Sequence, residues 1–291
     1  MFLYLAVFVG LPLIAAVPPL LREPPAQIWT KITHPEAIAA LKLSASAAAV
    51  GGIVNTFFGT LLAWTLVRYR FPLRRVLDSL VDLPFALPGV VAGIALLSLY
   101  GPATPIGEFL GPEGWLGHRI TAANIWLAGD AAVSSSHGLQ IPDLSLTGGF
   151  TALVFANLFV TLPFVVRTVQ PVIADLEHDV EDAAVSLGAS PTNVLWRVTL
   201  PQLMPAIVTG FGLAFARGIN EYGVAVLVSG NIPFESLVMP VYIFQRIETP
   251  DANGLPDFTG ATALSVVLLL VALGVLVLTY AWAQWRVRRV A

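Results

Sequence analysis

The sequence predicts an all-α, polytopic membrane protein with six transmembrane helices, from its composition, its apolar stretches and the distribution of its basic residues. Of its 291 residues, 56% are hydrophobic and only 11% are charged, and the mean hydropathy is +0.80. About a quarter of the residues in a globular protein are charged, so this much apolar surface requires lipid as its solvent. The absence of cysteine excludes disulfides, thiolate metal sites and cysteine nucleophiles.

Six stretches are apolar enough to cross a bilayer, whose core of about 30 Å requires about 20 mostly apolar residues per helix. The first stretch has no basic region before its apolar run, which distinguishes a retained span from a secretory signal. We therefore expect one membrane domain over residues 1–291, with its core at about 38–285. The six stretches are about Phe2–Leu21, Leu43–Val67, Leu83–Tyr100, Phe150–Val166, Leu203–Leu227 and Ala261–Trp285.

The basic residues of the loops predict the orientation in the membrane. Lysine and arginine concentrate on the cytoplasmic side of membrane proteins. The loops at 68–82 and 167–202 and the C-terminal tail hold nine of them, whereas the opposite side holds five, so both termini and loop 167–202 are predicted to be cytoplasmic. The nine are Arg68, Arg70, Arg74, Arg75, Arg167, Arg197, Arg286, Arg288 and Arg289; the five are Arg22, Lys31, Lys42, Arg119 and Arg246.

The long external loop and several prolines depart from a regular arrangement of straight membrane-spanning helices. The long external loop, residues 101–149, is rich in Gly, Pro and Ser and is either an irregular surface loop or a contact for an external partner. Pro84, Pro88 and Pro163 fall in or beside predicted spans, and each removes a helix hydrogen bond. We expect kinks or helix breaks there, which are hinges in a transporter and packing features in a passive scaffold.

Loop 167–202 contains a charged helix in an otherwise apolar chain. From Pro171 to Leu187 the apolar residues recur every three or four positions, which predicts one amphipathic helix. Pro171 suits the first turn of this helix, and Gly188 suits the left-handed position after its last turn. The apolar stripe consists of Ile173, Leu176, Val180, Ala183 or Ala184, and Leu187.

A second, shorter helix is predicted to follow. Ser190 suits its N-cap and Pro191 its first position. We expect this helix to run to about Thr199 and to be interrupted by Pro201 at the membrane. Residues Glu181–Pro201 then form a rigid cytoplasmic elbow, called the elbow below.

The elbow is predicted to dock another protein. Ala183 and Ala184 let a partner approach closely, and the carboxylate of Asp182 can meet its backbone or its basic groups. The alternative is an amphipathic helix on the lipid headgroups, which five carboxylates oppose because the inner leaflet is anionic. The five are Asp175, Glu177, Asp179, Glu181 and Asp182.

The spacing of these residues resembles the EAA loop of binding-protein-dependent ABC transporter permeases, with Asp182 where glutamate is usual. The pattern is an acidic residue, two alanines, a glycine after three more residues, and then Val-Thr-Leu-Pro at residues 198–201. Three further stretches resemble the sulfate/thiosulfate permeases, although those usually have glycine where Asn220 stands. They are RYRFPLRRVLDSLVDLPFALPGVVAG (68–93), LPFVVRTVQP (162–171) and RGINEYGVAVLVSGN (217–231), and the resemblance covers residues 38–247.

The resemblance implies the type I ABC importer permease (MetI-like) fold and a set of partners. A second permease subunit, related or identical, two ATPase subunits and an external sulfate-binding protein would complete the transporter. The resemblance also implies that the ATPase grips the elbow, a cytoplasmic coupling loop. The coupling residues are then Glu181, Asp182, Ala183, Ala184, Gly188, Ala189, Leu200 and Pro201.

The sequence has no motif for ATP hydrolysis or for metal binding. A phosphate-binding P-loop places its lysine between a glycine and Ser or Thr, and neither Lys31 nor Lys42 has that setting. The histidines lack metal-ligand spacing, and His178 is interpreted as a solvated surface residue. We therefore expect a permease subunit that is not an enzyme, that binds no cofactor, metal or nucleic acid, and that depends on ATP and Mg²⁺ held by a separate ATPase.

Arg217 and Glu221 are the clearest ionisable pair within the predicted spans. They are four residues apart and so share a helix face. A charge in lipid costs about 2.5–3.5 kcal/mol, so both should face protein or water. Either they neutralise each other and fix the fifth span, or Arg217 lines an oxyanion route with Asn220 and Tyr222. Further candidates for polar lining or for helix–helix hydrogen bonds are Asn55, Thr56, Asn157 and Thr161.

The sequence therefore predicts the permease subunit of an ATP-driven sulfate or thiosulfate importer that works by alternating access. The membrane is that of a bacterium or of an organelle of bacterial descent. Molybdate or another oxyanion is the alternative cargo. A self-sufficient secondary transporter or channel is a different class, which predicts coupling-ion carboxylates in several spans or inverted repeats; Glu221 is the evident candidate. A membrane scaffold is the third class.

Overall fold

The computed structural model describes residues 23–101, 103–110, 149–176, 178–249 and 254–290, together with residues 4, 6–11, 14 and 17–21. All the regular elements in these ranges are helical, which confirms the all-α prediction. A π-helical turn, Ala6–Gly10, comes first. The helices are α1 (Val17–Leu21), α2 (Pro25–Ile32), α3 (Pro35–Arg68), α4 (Arg74–Val81), α5 (Leu83–Ala86), α6 (Gly89–Tyr100), α7 (Pro105–Leu110), α8 (Phe150–Ala174), α9 (His178–Ser186), α10 (Pro191–Ile219), α11 (Ala225–Val228), α12 (Met239–Glu248) and α13 (Phe258–Val290).

Four helices in the described part of the chain, α3, α8, α10 and α13, are long and apolar enough to cross a membrane. They confirm four of the six predicted spans. Extended backbone at Leu87 divides the predicted span Leu83–Tyr100 into α5 and α6, which is the helix break expected at Pro88, whereas Pro163 lies inside α8. The proline that follows, Pro88, disfavours helical backbone in the residue before it. The predicted span Phe2–Leu21 and the external loop at 101–149 lie largely outside the described residues.

Helix α10 lies at the centre of the bundle and packs against α3, α8 and α13, and α8 also packs against α3. Small residues let the backbones approach closely: a Cβ placed on Gly51 of α3 would lie 2.8 Å from the Cβ of Asn157 in α8. One apolar cluster, with Leu66, Val165 and Leu203, fills the end of the bundle that carries the elbow. A second cluster, with Leu153, Ile219 and Leu264, fills the opposite end.

The predicted amphipathic helix from Pro171 to Leu187 is wrong in its first part. Pro171 lies inside α8, which continues to Ala174, and α9 begins separately at His178. Val169 and Ile173, on either side of Pro171, are fully buried against the cluster at the elbow end. Tertiary packing therefore holds α8 in helical form through a residue that disfavours it, as it does in many membrane helices.

The predicted interruption at Pro201 is also wrong. Helix α10 runs without a break from Pro191 to Ile219 and contains one π-helical turn, Leu195–Thr199. In this wide turn the N–H of Leu200 donates to the carbonyl of Leu195, five residues back. A proline clashes with the carbonyl four residues before it. For Pro201 that carbonyl belongs to the wide turn, so the helix accommodates the ring and the elbow continues into the membrane as one rod.

Candidate functional site

The bend of the elbow is formed by two helix caps that the sequence predicted. Gly188 has a φ of 87°, the left-handed conformation expected after the last turn of α9. Its N–H donates to Val185, and the N–H of Ala189 donates to Ala184, which together form a Schellman motif. Ser190 then caps α10, since its hydroxyl accepts from the N–H of Asn193.

The outer surface of the elbow combines a carboxylate with apolar side chains. Asp182 and Ala183 are exposed on α9, and Leu187 at its end is 90% exposed. The predicted apolar stripe is wrong at Val180 and Leu187, which are both exposed, because α9 is separate from α8 and this side of it has no core to pack against. Large apolar groups exposed beside a carboxylate are typical of a protein-docking surface.

Glu181 differs from its neighbour Asp182 because its side chain binds within the protein. One carboxylate oxygen of Glu181 lies 3.0 Å from the guanidinium of Arg68 at the end of α3 and accepts from the hydroxyl of Thr199 at 2.8 Å. Arg68 also lies over the ring of Trp64, with its Cζ 4.9 Å from the ring centroid. Glu181 thus ties α9 to α3 and α10. We assign it a positioning role, while Asp182 remains available to a partner.

The other predicted coupling residues lie along the bend and its junction with α10. Ala184, Ala189 and Leu200 are half-buried, whereas Gly188 and Pro201 are exposed. The side chain of His178 lies outside what the structure describes. The predicted coupling residues therefore lie in one region of the structure. Those exposed on its outer surface are mainly Asp182, Ala183 and Gly188.

A charged cluster next to the elbow was not predicted from the sequence. Arg167 of α8 forms two hydrogen bonds with the carboxylate of Asp82, at 2.8 and 2.6 Å, and a third with that of Asp78 at 2.7 Å. Gln170 also donates to Asp78, at 3.1 Å. The hydrogen bonds from Gln170 and Arg167 hold the pKa of Asp78 below its usual value. These contacts fix α4 to the end of α8, and no local pattern links residues so distant in sequence.

The predicted pair of Arg217 and Glu221 is confirmed as an ion pair, with 2.6 Å between Nη1 of Arg217 and Oε2 of Glu221. The Glu221 side chain is only 5% exposed, and its other oxygen accepts from the N–H of Val224. It packs against Gly89 at the start of α6, where an added Cβ would lie 3.1 Å from the carboxylate. Arg217 is 39% exposed, and among the described residues its remaining N–H groups have no hydrogen-bond partner.

Asn220 and Tyr222 lie next to this pair in different settings. Asn220 is exposed, and its amide donates to the carbonyl of Ala216, which caps the end of α10. Tyr222 is half-buried, and its ring centroid lies 5.2 Å from that of Phe244. Arg217 and Asn220 therefore both present polar groups at accessible positions, and of the two Arg217 carries the positive charge.

Asn55 and Thr161 join α3 to α8, whereas Asn157 lines a small cavity with Glu221 and Gly218. Asn55 of α3 donates to the hydroxyl of Thr161 and to the carbonyl of Leu158 in α8, each at 2.9 Å. Asn157 donates to Leu153 within α8, and its Oδ1 faces Gly218 of α10, where a Cβ would come within 2.5 Å. The predicted helix–helix hydrogen bond is thus confirmed for Asn55 and Thr161, whereas the hydrogen bond of Asn157 stays within α8. Thr56 bonds only to its own helix, at the carbonyl of Gly52.

An open apolar groove of about 630 Å³ lies between α3 and α10. Phe211 of α10 lines it, whereas Arg217 is six residues further and so lies about 120° around the helix axis. The groove and the ion pair therefore belong to different faces of α10. The other lining residues include Phe57, Leu61, Trp64, Trp196 and Ile207.

Groups of three or more side chains suited to holding a metal ion are absent from the part of the chain that the structure describes. Lys31, Glu23 and Asp257 form another charged cluster, in which the ammonium of Lys31 lies 2.8 Å from each carboxylate. This set joins α2 to the start of α13. It is an ion-pair network in which the cation is a lysine.

Comparison with known proteins gives sequence relatives over almost the whole chain. The family described as binding-protein-dependent transport system inner membrane component matches residues 55–291. A probable sulfate transport system permease protein cysT of Nephroselmis olivacea is 42% identical over 97% of this chain and 87% of its own length. The sulfate transport system permease proteins CysT of Synechococcus elongatus and Salmonella typhimurium are each 36% identical, over 98% and 93% of this chain and 90% and 85% of their own lengths.

Solved structures share the fold at low sequence identity. A bacterial ABC transporter involved in the import of the acidic polysaccharide alginate superposes with a TM-score of 0.66 and 15% identity, over 97% of this chain and 92% of that one. The MetNI methionine ABC transporter, in an inward-facing conformation, gives a TM-score of 0.57 and 12% identity, over 91% and 99%. The fold of this chain is therefore the type I importer permease fold that the EAA-like spacing implied.

Proposed function

Because the chain belongs to the family of binding-protein-dependent transport system inner membrane components, we propose that it is the permease subunit of an ATP-driven sulfate importer. The sulfate permeases of Nephroselmis olivacea, Synechococcus elongatus and Salmonella typhimurium, at 36–42% identity, support this cargo. Thiosulfate is included in this prediction, and molybdate or another oxyanion is the alternative cargo. ATP hydrolysis then takes place on separate ATPase subunits, and an external binding protein delivers the anion.

The single observation that carries the proposal is the exposed surface of the elbow at one end of a continuous helix. Asp182, Ala183 and Leu187 present a carboxylate and apolar groups that no other described residue covers. An ATPase subunit of complementary shape and charge would bind there. Glu181 holds this surface on α3 and α10, so that a force on the elbow moves those helices.

Helix α10 supplies the mechanical link between the elbow and the membrane interior. Pro191 and Arg217 are 26 positions apart along it, which is about 39 Å at the rise of an α-helix. A tilt imposed on the elbow is therefore carried along one rod to the Arg217–Glu221 ion pair. We infer that alternating access uses this rod, with the ATPases drawing two elbows together and opening the pathway outward.

Arg217 is the residue we assign to the anion pathway. Its charge is partly offset by Glu221, and its free N–H groups can replace water around a sulfate ion. The position of Arg217 along the bundle fits this role. Its neighbour Gly218 contacts Asn157 of α8. Asn157 is ten residues, or about 15 Å along α8, from Arg167 at the elbow end. Asn220 and Tyr222 would contribute to the pathway only through their positions beside Arg217.

The complete transporter in this proposal contains a second permease subunit, identical or related, and two ATPases. A second permease is required because one chain provides one elbow and one copy of α10. We place the chain in a bacterial cytoplasmic (inner) membrane with the elbow and both termini in the cytoplasm, as the distribution of arginines predicts.

The test deletes the gene in its own cells and measures uptake of radiolabelled sulfate, thiosulfate and molybdate after complementation. The unchanged chain should restore sulfate uptake, and Asp182→Lys should not, because it reverses the charge presented to the ATPase. Asp175→Lys is the matched control: it makes the same charge change at an exposed position before α9. A pull-down should recover the ATPase subunit with the unchanged chain and with Asp175→Lys only.

Two results would overturn the proposal. Normal sulfate uptake after deletion would exclude sulfate as the cargo, and a specific loss of molybdate uptake would assign the other oxyanion. Sulfate transport by the purified chain alone in liposomes would place it among secondary transporters or channels.

A further inference from the structure

Helix α4 exposes an apolar face and a set of arginines at the elbow end of the bundle. Leu73, at the N-cap of α4, is 72% exposed, and Val76, Leu77 and Leu80 on the same side of the helix are also exposed. A two-turn helix in water gains nothing from such a face. Arg74 lies beside this face, Arg70 precedes the helix, and Arg75 lies about 200° around the axis from Leu73. Among the described residues no carboxylate forms an ion pair with them.

The opposite side of α4 is fixed to the bundle. Asp78 and Asp82 bind Arg167, and Val81 is buried in the apolar cluster at the elbow end. Only five residues separate α4 from the end of α3 at Arg68, and one residue separates it from α5. The helix is therefore held against the bundle where two long apolar helices end, and its exposed face cannot turn inward to find cover.

The arginines and the apolar face meet at a shallow hollow of about 410 Å³. Its rim carries Arg70, Arg74 and Arg75, and its apolar side is formed by Phe71, Leu73 and Val76. A phosphate group fits the chemistry of the arginine rim. Acyl chains fit the leucine and valine side chains that continue from it along α4.

We propose that α4 and the hollow at its start form a binding site for an anionic phospholipid, with the headgroup phosphate at Arg70, Arg74 and Arg75 and the acyl chains along the exposed face of α4. This surface is separate from the proposed transport function and requires no transport cycle. It rests on the predicted orientation, in which this end of the bundle meets the anionic inner leaflet.

Charge and position favour a lipid over a protein at this surface. Arg167 is the first residue after the predicted span Phe150–Val166, so it lies level with the headgroups. Because the contacts of Arg167 hold α4, that helix lies at the same level. An amphipathic helix with arginines beside its apolar face is typical of the membrane interface, where the charged heads reach the headgroups and the stems stay in apolar surroundings. The docking surface at Asp182 is acidic, whereas this one is basic.

The first experiment compares lipid binding by the full-length chain in detergent, using native mass spectrometry with phosphatidylglycerol and phosphatidylcholine. Arg70→Gln/Arg75→Gln should bind phosphatidylglycerol about 30-fold more weakly, since each arginine near an anionic surface is worth about a factor of five. Arg286→Gln/Arg288→Gln is the matched control, because it removes two arginines from the end of α13. Its affinity should change less than about threefold.

The outcomes separate a lipid site from simpler explanations. An equal loss in both double variants, or no loss in either, would overturn the proposal, since neither result locates binding at α4. Displacement of phosphatidylglycerol by inorganic phosphate or sulfate would assign the hollow to a free oxyanion instead. Neither ion should displace it, because neither provides acyl chains for the apolar face.

A second measurement keeps the proposal testable if the arginine variants fold poorly. The chain has no cysteine, so Leu77→Cys and Ser79→Cys can each carry a single nitroxide label in nanodiscs that contain phosphatidylglycerol. Positions 77 and 79 are two residues apart, so they lie about 200° apart around the helix axis, on opposite faces. The label at position 77 should collide mainly with oxygen dissolved in lipid, and that at 79 with a water-soluble nickel complex. Equal exposure to water at both positions would contradict the proposal.

Discussion

The carboxylate of Glu181 lies 3.0 Å from the guanidinium of Arg68, although 113 positions separate the two residues in the chain. We expect Glu181→Gln to lower the free energy of unfolding by about 1–2 kcal/mol, because a charged hydrogen bond between partly buried groups is lost. Thermal unfolding of the purified chain measures this. Coupled sulfate uptake should fall as well, since the elbow is held less firmly.

Asp182→Asn is the comparison for Glu181→Gln, because it makes the same chemical change one residue further on an exposed side chain. Its unfolding free energy should match that of the unchanged chain within about 0.5 kcal/mol. ATPase capture should nevertheless decrease. Equal thermal stability of both variants would show that the ion pair with Arg68 does not hold the elbow.

Arg167→Met should release α4 from α8. The change removes the two-pronged contact with Asp82 and the hydrogen bond to Asp78, and we expect a loss of about 2 kcal/mol. Limited trypsin digestion detects the release as faster cleavage at Arg74 and Arg75. Arg167→Lys should recover little of the lost stability, because an ammonium cannot reproduce the planar double contact with Asp82. Arg288→Lys is the control, and faster cleavage in that variant would point to a general effect.

Gly218→Ala should separate α10 from α8, because the new Cβ would lie 2.5 Å from Oδ1 of Asn157. Overpacking of this kind costs about 1–3 kcal/mol. Gly274→Ala is the matched control in α13, where an added Cβ meets no atom within 4 Å, and it should leave stability unchanged or raise it slightly. Equal unfolding temperatures for the two variants would refute the close contact at Gly218.

The Lys31–Asp257 contact predicts a pH dependence. Burial opposes the charged form of Asp257, but the hydrogen bonds from Lys31 and from the N–H of Gly260 outweigh it and hold its pKa below the usual 3.8. A lowered pKa stabilises the fold above that value, and the stabilisation is lost as the pH falls through the folded-state pKa. Asp257→Asn should therefore lower the unfolding temperature at neutral pH, and the difference should disappear as the pH falls through the lowered pKa of Asp257.

At alkaline pH the stabilisation from the same contact changes in the opposite direction, because it decreases as the pH rises. Burial alone would lower the pKa of Lys31, whereas its hydrogen bonds to Asp257 and Glu23 raise it above 10.5. The stabilisation is present below pH 10.5 and is lost as the pH rises through the folded-state pKa. A constant difference in unfolding temperature between the unchanged chain and Asp257→Asn from acid to alkaline pH would contradict both parts of this prediction.

Arg217→Met tests the pathway role against a structural one. If Arg217 meets the anion, sulfate uptake should fall at least about tenfold, while pull-down of the ATPase remains normal. Arg217→Lys should keep the ion pair with Glu221 and recover part of the uptake, because it retains the positive charge. Loss of assembly in Arg217→Met would assign the residue to fixing α10, and normal uptake would remove it from the pathway.

Much of the fold could be predicted because its signals are local. Hydropathy identified the four long helices, and the caps at Gly188 and Ser190 follow from residues that lie next to each other. The ion pair of Arg217 and Glu221 was predictable for the same reason, since four residues make one helical turn. The family itself was recognisable from the spacing around Asp182.

The remaining features depend on contacts that no local pattern encodes. Glu181 was predicted to face the ATPase, but the structure pairs it with Arg68, which only the packing of α3 against the elbow brings near. The network of Arg167 joins residues 85 and 89 positions apart. Pro171 and Pro201 were predicted to begin or end helices, yet buried neighbours and a wide turn keep both helices continuous.

The π-helical turn at Leu195–Thr199 also fixes the angular phase of α10. A wide turn of this kind is equivalent to one additional residue in an α-helix, which corresponds to about 100° of rotation for everything beyond it. The direction around the helix axis in which Gly210 meets α8 and Arg217 meets Glu221 is therefore set at the elbow end of α10, next to Trp196. A single-residue deletion in this turn would dephase the whole membrane-spanning part of α10 while leaving its sequence intact.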